Sequence, residues 1–296
     1  TPLADASRKR ALGGRRPSGA LLGVIPFFAY TTVFLLIPTL VVIVGAFLDA
    51  DGAPTTANIE ALTSPSVVRG LRNSVVLSAV TAVVGAIVGG ILAYAVSTAS
   101  ATSVVKRFIT SLCGVLAQFG GVALAFAFVA SFGATGLITA WLAAIGVDTG
   151  TGFWLYEWNK GLMLIYLYFQ IPLMVIVFLP AVEGLRPQWR EATETLGGTT
   201  WTYWRRVAGP ILMPSFVGGM LLLFTNAFSA YATAKALISQ GSPLLPLQIA
   251  GTMSSEVILG QENVGKAMAL AMVVVVALVM TAYVMLDRRT SKWMPR

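Results

Sequence analysis

The chain has no histidine, a single cysteine and only twelve acidic residues among its 296 positions. Without histidine there is no His-based zinc site, no imidazole general base and no Cys–His nucleophile. Cys113, between Leu112 and Gly114, has no second thiol to pair with, and a lone cysteine in an apolar run is a small hydrophobic filler. Charge of either sign is scarce: Asp, Glu, Lys and Arg supply 11% of the residues, against roughly 25% in soluble domains. What takes their place is hydrocarbon, with 56% hydrophobic residues and a mean hydropathy of +0.80. The class is therefore an all-α polytopic membrane protein. A net charge of +8 does not point to nucleic acid here, because the cytoplasmic loops of membrane proteins collect Lys and Arg.

The apolar residues gather into six runs. Residues 1–20 hold Arg8, Lys9, Arg10, Arg15 and Arg16 among small residues and read as a basic cytoplasmic tail. Leu21 to Leu48 is too long for a signal-peptide core and lacks a cleavage pattern, so it reads as a retained span kinked at Pro26 and Pro38. The rest of residues 21–70 is an outer loop with turn signals at Asp51-Gly52, Pro54 and Ser64-Pro65.

A core of residues 71–290 follows, with spans over about 71–97, 108–132, 161–182, 211–237 and 266–286. Gly85, Gly89 and Gly90, and later Gly218 and Gly219, offer close-packing faces for another helix or a second membrane subunit. Gln118, Gly120 and Gly121 should face protein. Residues 133–159 are too polar to cross, although Leu137, Trp141, Leu142 and Ile145 form a stripe suited to the outer interface. Trp154, Tyr156 and Trp158 then mark a headgroup-level belt. Residues 291–296 form a short cytoplasmic tail.

Six spans put both ends on one side. The N-terminal tail, the 98–108 link, the 183–209 loop and the C-terminus hold fifteen of the twenty basic residues, so both termini are expected in the cytoplasm. Gly260 to Lys266-Ala267 comes within one residue of a phosphate-binding loop. It is rejected because Ala267 replaces the Ser/Thr that would ligate magnesium, no strand precedes it and a span follows. Lys266 reads as an interface anchor.

The most polar stretch lies between spans four and five, within residues 183–210. Trp189, Ala192 and Leu196 recur at helical spacing while Arg190, Glu191 and Glu194 fall on other faces, which predicts a short amphipathic helix. Gly197-Gly198 can cap it, and Trp201, Trp204 and Val207 start a second apolar stripe before Pro210. Helix, turn, helix is the expected form.

Glu191-Ala192-Thr193, with Gly197, Val207 and Gly209-Pro210 behind it, resembles the EAA loop of ABC-importer permeases: E-A-A, three residues, G, nine residues, I, one residue, L-P. Thr193 stands for the second Ala and Val207 for Ile, while Gly209 for Leu is the one substantial departure. The resemblance extends over roughly residues 69–290. It takes in Arg72-Asn73-Ser74, Phe169-Gln170-Ile171-Pro172-Leu173 and the segment from Asn226 to Ala234, which look like the spermidine/putrescine-type permeases.

The resemblance implies the six-helix, MetI-like fold of type I importer permeases. It implies that Arg190, Glu191, Ala192, Glu194, Leu196, Gly197, Trp201 and Pro210 form a coupling helix and its surroundings, seated in a cleft of a cytoplasmic ATPase subunit. ATP is then bound by two partner ATPase subunits, so the chain has no cofactor and no catalytic site of its own. An extracytoplasmic solute-binding protein and a second permease subunit, as a heterodimer, complete the assembly in the lipid of a prokaryotic plasma membrane. The implied cargo is a small polar solute such as a polyamine, with phosphonate, ferric iron, thiamine or sugar as alternatives.

Gln170 on span four and Asn226, Ser229, Tyr231 and Thr233 on span five are polar within apolar runs and are expected to line the path, with 226, 229 and 233 on one helical face. Two other classes stand beside this reading. One is an intramembrane enzyme using Asp148, Glu157, Glu256 or Glu262; the other is a receptor or scaffold that only docks a cytoplasmic partner.

Overall fold

In the computed structural model, residues 19–100, 103–147, 153–238, 243–254 and 261–291 are described. Their regular elements are helices, with one isolated bridge between Leu48 and Pro54. In order these are α1 (Gly19–Thr31), α2 (Ile37–Gly45), α3 (Ala57–Glu60), α4 (Pro65–Ser97), α5 (Val104–Gln118), α6 (Gly121–Phe132) and α7 (Leu137–Ala144). Then come α8 (Gly161–Glu183), α9 (Pro187–Thr195), α10 (Thr200–Tyr203), α11 (Gly209–Ser229), α12 (Ala232–Leu237), α13 (Leu245–Ser254) and α14 (Glu262–Ser291). Six segments are long and apolar enough to cross a membrane: 24–45, 65–97, 121–144, 161–183, 200–229 and 262–285.

The centre of the bundle is the pair α4 and α8, with α11 packed on both and α5 along α8. Lipid tails are as apolar as these side chains, so the pair is held by close approach rather than by exclusion of water. Gly89 makes this possible: a Cβ there would stand 2.6 Å from the Met174 Cβ and 2.7 Å from the Ile171 carbonyl oxygen. The other four glycines expected to offer open faces are also used within the chain. Gly85 meets Gln170 and Leu223, Gly90 and Gly219 meet Phe216 and Met174, and Gly218 meets the Tyr283 hydroxyl. The expectation that they form a face for a second subunit is corrected accordingly.

Two buried clusters sit at opposite ends of α8. One contains Met174, Val175, Phe178 and Val182 with Cys113 and Leu212, near the 183–210 loop. The other contains Leu162, Ile165, Tyr166 and Phe169 with Leu124, Ala234 and Leu237, and half-buried Tyr156 and Trp158 pack against it.

Three boundaries differ from expectation. The second span starts at Pro65 rather than near residue 71, because proline is suited to the first turn of a helix and Ser64 leaves it extended. The third run is not one helix: α5 ends at Gln118, Phe119 and Gly120 are non-helical, and Gly121 takes φ +69°. Its apolar continuation is α6 and α7, reaching residue 144 into a stretch expected to lie outside the membrane. The fifth run is also two helices, because Ala230 is extended and separates α11 from α12.

The first span, with a π turn at Thr32–Leu36 just before Pro38, rests on α14. Lys266 lies across Gly45, its Nζ donates to Asn263 Oδ1 at 2.7 Å, and Asn263 in turn donates to the Asp49 carbonyl. Lys266 is thus a packing contact between the first and last spans, consistent with an anchor and not with a phosphate ligand.

Candidate functional site

The 183–210 loop is a helix, a capped turn and a second helix. Pro187 opens α9 at the position where a missing N–H costs nothing. Its end is closed by two hydrogen bonds, Gly198 N–H to the Thr193 carbonyl at 2.9 Å and Gly197 N–H to the Glu194 carbonyl at 3.0 Å. This is the pattern of a Schellman cap, and it requires the left-handed φ of +76° that Gly197 adopts. Thr199 then caps α10, exchanging hydrogen bonds with Thr202.

A π turn over Trp204–Ala208 carries α10 into α11 without a break. Pro210 cannot donate an N–H back along the helix, and the wider turn accommodates that loss. It also brings the Trp204 carbonyl oxygen within 2.5 Å of where a Cβ on Gly209 would stand. Glycine in place of leucine is therefore what this local backbone accepts.

The loop presents its apolar groups outward. Leu196 is 87% exposed and Trp201 72% exposed, at the tip of an otherwise polar segment. Glu191, Ala192 and Glu194 are exposed on the same helix, while Trp189 and Thr193 turn toward the protein. Arg190 Nε and Glu194 Oε1 form an ion pair at 3.0 Å. Pro210 is exposed beside the π turn. At the base, Lys106 at the start of α5 and Glu183 at the end of α8 are ion-paired at 2.6 Å, tying the bundle to the loop. Seventy-seven residues separate the two in sequence, and no local pattern announces the contact.

The polar residues of spans four and five do not form one group. Gln170 is fully buried between α4 and α8, donating from Nε2 to Thr81 Oγ1 at 2.8 Å, so it packs the bundle and faces no open path. Thr233 is 3% exposed and donates to the Gly121 carbonyl at 3.2 Å. It does not continue the face of Asn226 and Ser229, because the break at Ala230 and Tyr231 interrupts the helical register. Asn226, Ser229 and Tyr231 are exposed. Residues 215, 222, 226 and 229 share one exposed side of α11, a seam with Ser215 and Leu222 below the two polar groups.

The two helix breaks meet. The Tyr166 hydroxyl donates to the Ala230 carbonyl at 2.8 Å, and Thr233 bonds Gly121 across from it, so each break satisfies freed backbone groups with protein donors. Gln118, expected to face protein, is exposed beside this crossing. Non-helical backbone at membrane depth survives where protein covers it or water reaches it.

At the opposite end from the loop, Asn73 Nδ2 donates to the Pro243 carbonyl and Ser74 Oγ accepts the Leu245 N–H, pinning the segment before α13 to the start of α4. Of the carboxylates considered for an enzyme, Glu157 pairs with Lys160 at 2.8 Å and Glu262 stands at the start of α14. Asp148 and Glu256 lie outside the described residues. Among the described residues no cluster of His, Cys, Asp and Glu could hold a metal.

An all-helical bundle with six membrane-length segments, two broken helices and a capped external loop defines a polytopic permease fold. The family model described as "Binding-protein-dependent transport system inner membrane component" matches residues 91–292, more than half of the chain, and the chain belongs to that family. It is 32% identical over 100 residues to the sulfate transport system permease protein CysT of Escherichia coli, a match covering 34% of each chain. It is 22% identical over 263 residues to the spermidine/putrescine transport system permease protein PotB of Haemophilus influenzae, covering 86% of this chain and 90% of that one. The names of other relatives refer to molybdenum, ferric iron and starch degradation products. Among solved structures, a chain of a bacterial ABC transporter involved in the import of the acidic polysaccharide alginate superimposes with a TM-score of 0.74 at 17% identity, covering 92% of this chain and 96% of that one. The shared feature is the fold of ABC-importer permeases.

Proposed function

We propose that this chain is a membrane-spanning subunit of an ATP-driven importer, forming half of the path and taking its energy from cytoplasmic ATPase subunits through the 183–210 loop. The observation that carries this is the tip of the loop. Leu196, at the capped end of α9, and Trp201, on α10, are large apolar groups held in water on either side of the turn, and such groups at the centre of a polar rim are what a protein partner buries. The EAA-like spacing gives the partner's class, and the continuity of the loop with α8 and α11 gives the lever. Two ATPase subunits, a second permease and an extracytoplasmic solute-binding protein are the proposed partners, with both termini and the loop in the cytoplasm.

The path follows the seam of Ser215, Asn226 and Ser229 on α11 toward Tyr231 and the helix breaks. Replacing Asn226 with leucine is expected to lower uptake severalfold while leaving basal ATP hydrolysis of the reconstituted complex unchanged. Full uptake would make the seam merely packing. The cargo is a small polar solute. The resemblance along Phe169–Leu173 and Asn226–Ala234 supports a polyamine. A second reading, an oxyanion, is favoured by Lys235: it is exposed in the last turn of α12 and has no ion-pair partner among the described residues. Uptake assays with the cognate binding protein, comparing spermidine with sulfate, decide between the two.

A further inference from the structure

Two clefts at the loop end of the bundle join into one. The first, about 440 Å³, is a slot between α4, α8 and α11 with Ile87, Ile91, Phe178, Leu212, Met213 and Phe216 in its walls. The second, about 530 Å³, lies under α9 and is edged by Ser97, Thr98, Lys106, Glu183, Arg186 and Arg190. Tyr94, Val182 and Trp204 belong to both, and the Tyr94 and Trp204 rings meet edge to face at 5.0 Å between centroids. The slot is lined by hydrocarbon and aromatic groups throughout. Its continuation is basic: three cations against one carboxylate. Lys106 is occupied by Glu183 and Arg190 by Glu194, whereas Arg186 has no ion-pair partner among the described residues. The slot also lies away from the polar seam, since the exposed Met213 is on the opposite side of α11 from Leu222 and Asn226.

We infer that this joined cleft binds an anionic glycerophospholipid of the leaflet on the loop side, one acyl chain in the slot and the phosphate on Arg186. An apolar channel that opens at an aromatic pair onto an unpaired guanidinium has the order of chemistry found along a phospholipid, from chain through interface to charge. A soluble anion would have no use for the slot, and a zwitterionic lipid, which carries the same phosphate, would bring a second cation into a cleft where three basic side chains already face one carboxylate. The Ser97 and Thr98 hydroxyls already donate to their own helix, to the Tyr94 and Ala95 carbonyls, so toward a ligand they accept, which suits the hydroxyls of a glycerol headgroup. Because Arg186 immediately precedes α9, the lipid would touch the base of the loop.

The test uses the full-length protein in nanodiscs, with photoreactive phosphatidylglycerol and phosphatidylcholine carrying the same acyl chains. Phosphatidylglycerol is expected to label peptides spanning 87–94 or 204–216, with competition by unlabelled phosphatidylglycerol and not by phosphatidylcholine. Arg186→Gln should lower that labelling about fivefold, the equivalent of the ~1 kcal/mol that one basic side chain contributes near an anionic surface. Ile91→Trp should abolish it by filling the slot; Ile91 is 66% exposed, so the change leaves the bundle's interior alone. Equal labelling by both lipids, or labelling indifferent to both variants, overturns the proposal. In the assembled transporter, Ile91→Cys in a Cys113→Ala background should form no disulfide or short crosslink to another permease chain; such a link would put protein in the slot and overturn it as well.

Discussion

Gly197 has nothing within 4 Å of where a Cβ would stand, so its constraint is conformational and not steric. Any L-residue there must hold φ near +76°, at a cost of about 1 kcal/mol for alanine and more for a β-branched residue. The cap is held by two hydrogen bonds, Gly198 N–H to Thr193 and Gly197 N–H to Glu194, so the cost is expected to appear as a lost cap and a misdirected α9. Gly197→Val should leave membrane insertion intact and reduce ATPase binding in a pull-down; wild-type binding together with wild-type transport would refute this. Gln170 makes the opposite case. Its Oε1 is buried without a hydrogen-bond partner while its Nε2 is satisfied by Thr81. Gln170→Leu removes an unsatisfied group along with one bond, and the Thr81 hydroxyl left behind still donates to the Leu77 carbonyl at 2.8 Å, so the loss is expected to be small. Thermal stability within about 1 kcal/mol of wild type and retained uptake are expected, and a large loss of uptake would return Gln170 to the path.

Among elements, the contact of α4 with α8 has the least tolerance. Gly89→Val would place methyl groups on the Met174 side chain and the Ile171 carbonyl, and overpacking of this kind costs about 1–3 kcal/mol. Backbone cannot move aside as a flexible side chain can, so the helices must separate. A lower melting temperature in detergent for Gly89→Val, with Gly114→Val unaffected because Gly114 has open space around it, is the expected contrast. The breaks in the third and fifth runs belong to the same scale. Gly120-Gly121 in the one, and the extended Ala230 in the other, are stabilised only because Tyr166 and Thr233 supply the missing hydrogen bonds.

For the molecule as a whole, the first span is the least integrated part: none of its apolar window is buried, and Phe27, Phe28, Tyr30 and Phe34 are all more than half exposed. The Asn226 seam is likewise open on its outer side. Among the described residues, one copy of the bundle presents the seam as an open wall. Proteoliposomes holding this chain as the sole membrane subunit, with its ATPase and binding protein, are expected to show no uptake above background until a second permease is added. Full activity from this chain alone would remove the heterodimer from the proposal and leave a homodimer.

Hydropathy and charge were sufficient to determine the all-helical membrane class, the six apolar runs and the loop between the fourth and fifth, because each is a property of composition along a contiguous stretch. The helix carrying Trp189, Ala192 and Leu196 and its end at Gly197-Gly198 were legible for the same reason: the period and the glycines act within a few residues, whereas its start at Pro187 was not read. The two helix breaks were not, since Gly120-Gly121 and Ala230-Tyr231 are each compatible with a continuous helix until partners 112 and 64 residues away take the freed hydrogen bonds. Nor could polarity alone separate Gln170 and Thr233 from Asn226 and Ser229. A polar residue in an apolar run must be satisfied by something, but whether by a neighbouring helix or by an open seam depends on which face the neighbours cover, and that is decided only when α4, α6 and α8 pack.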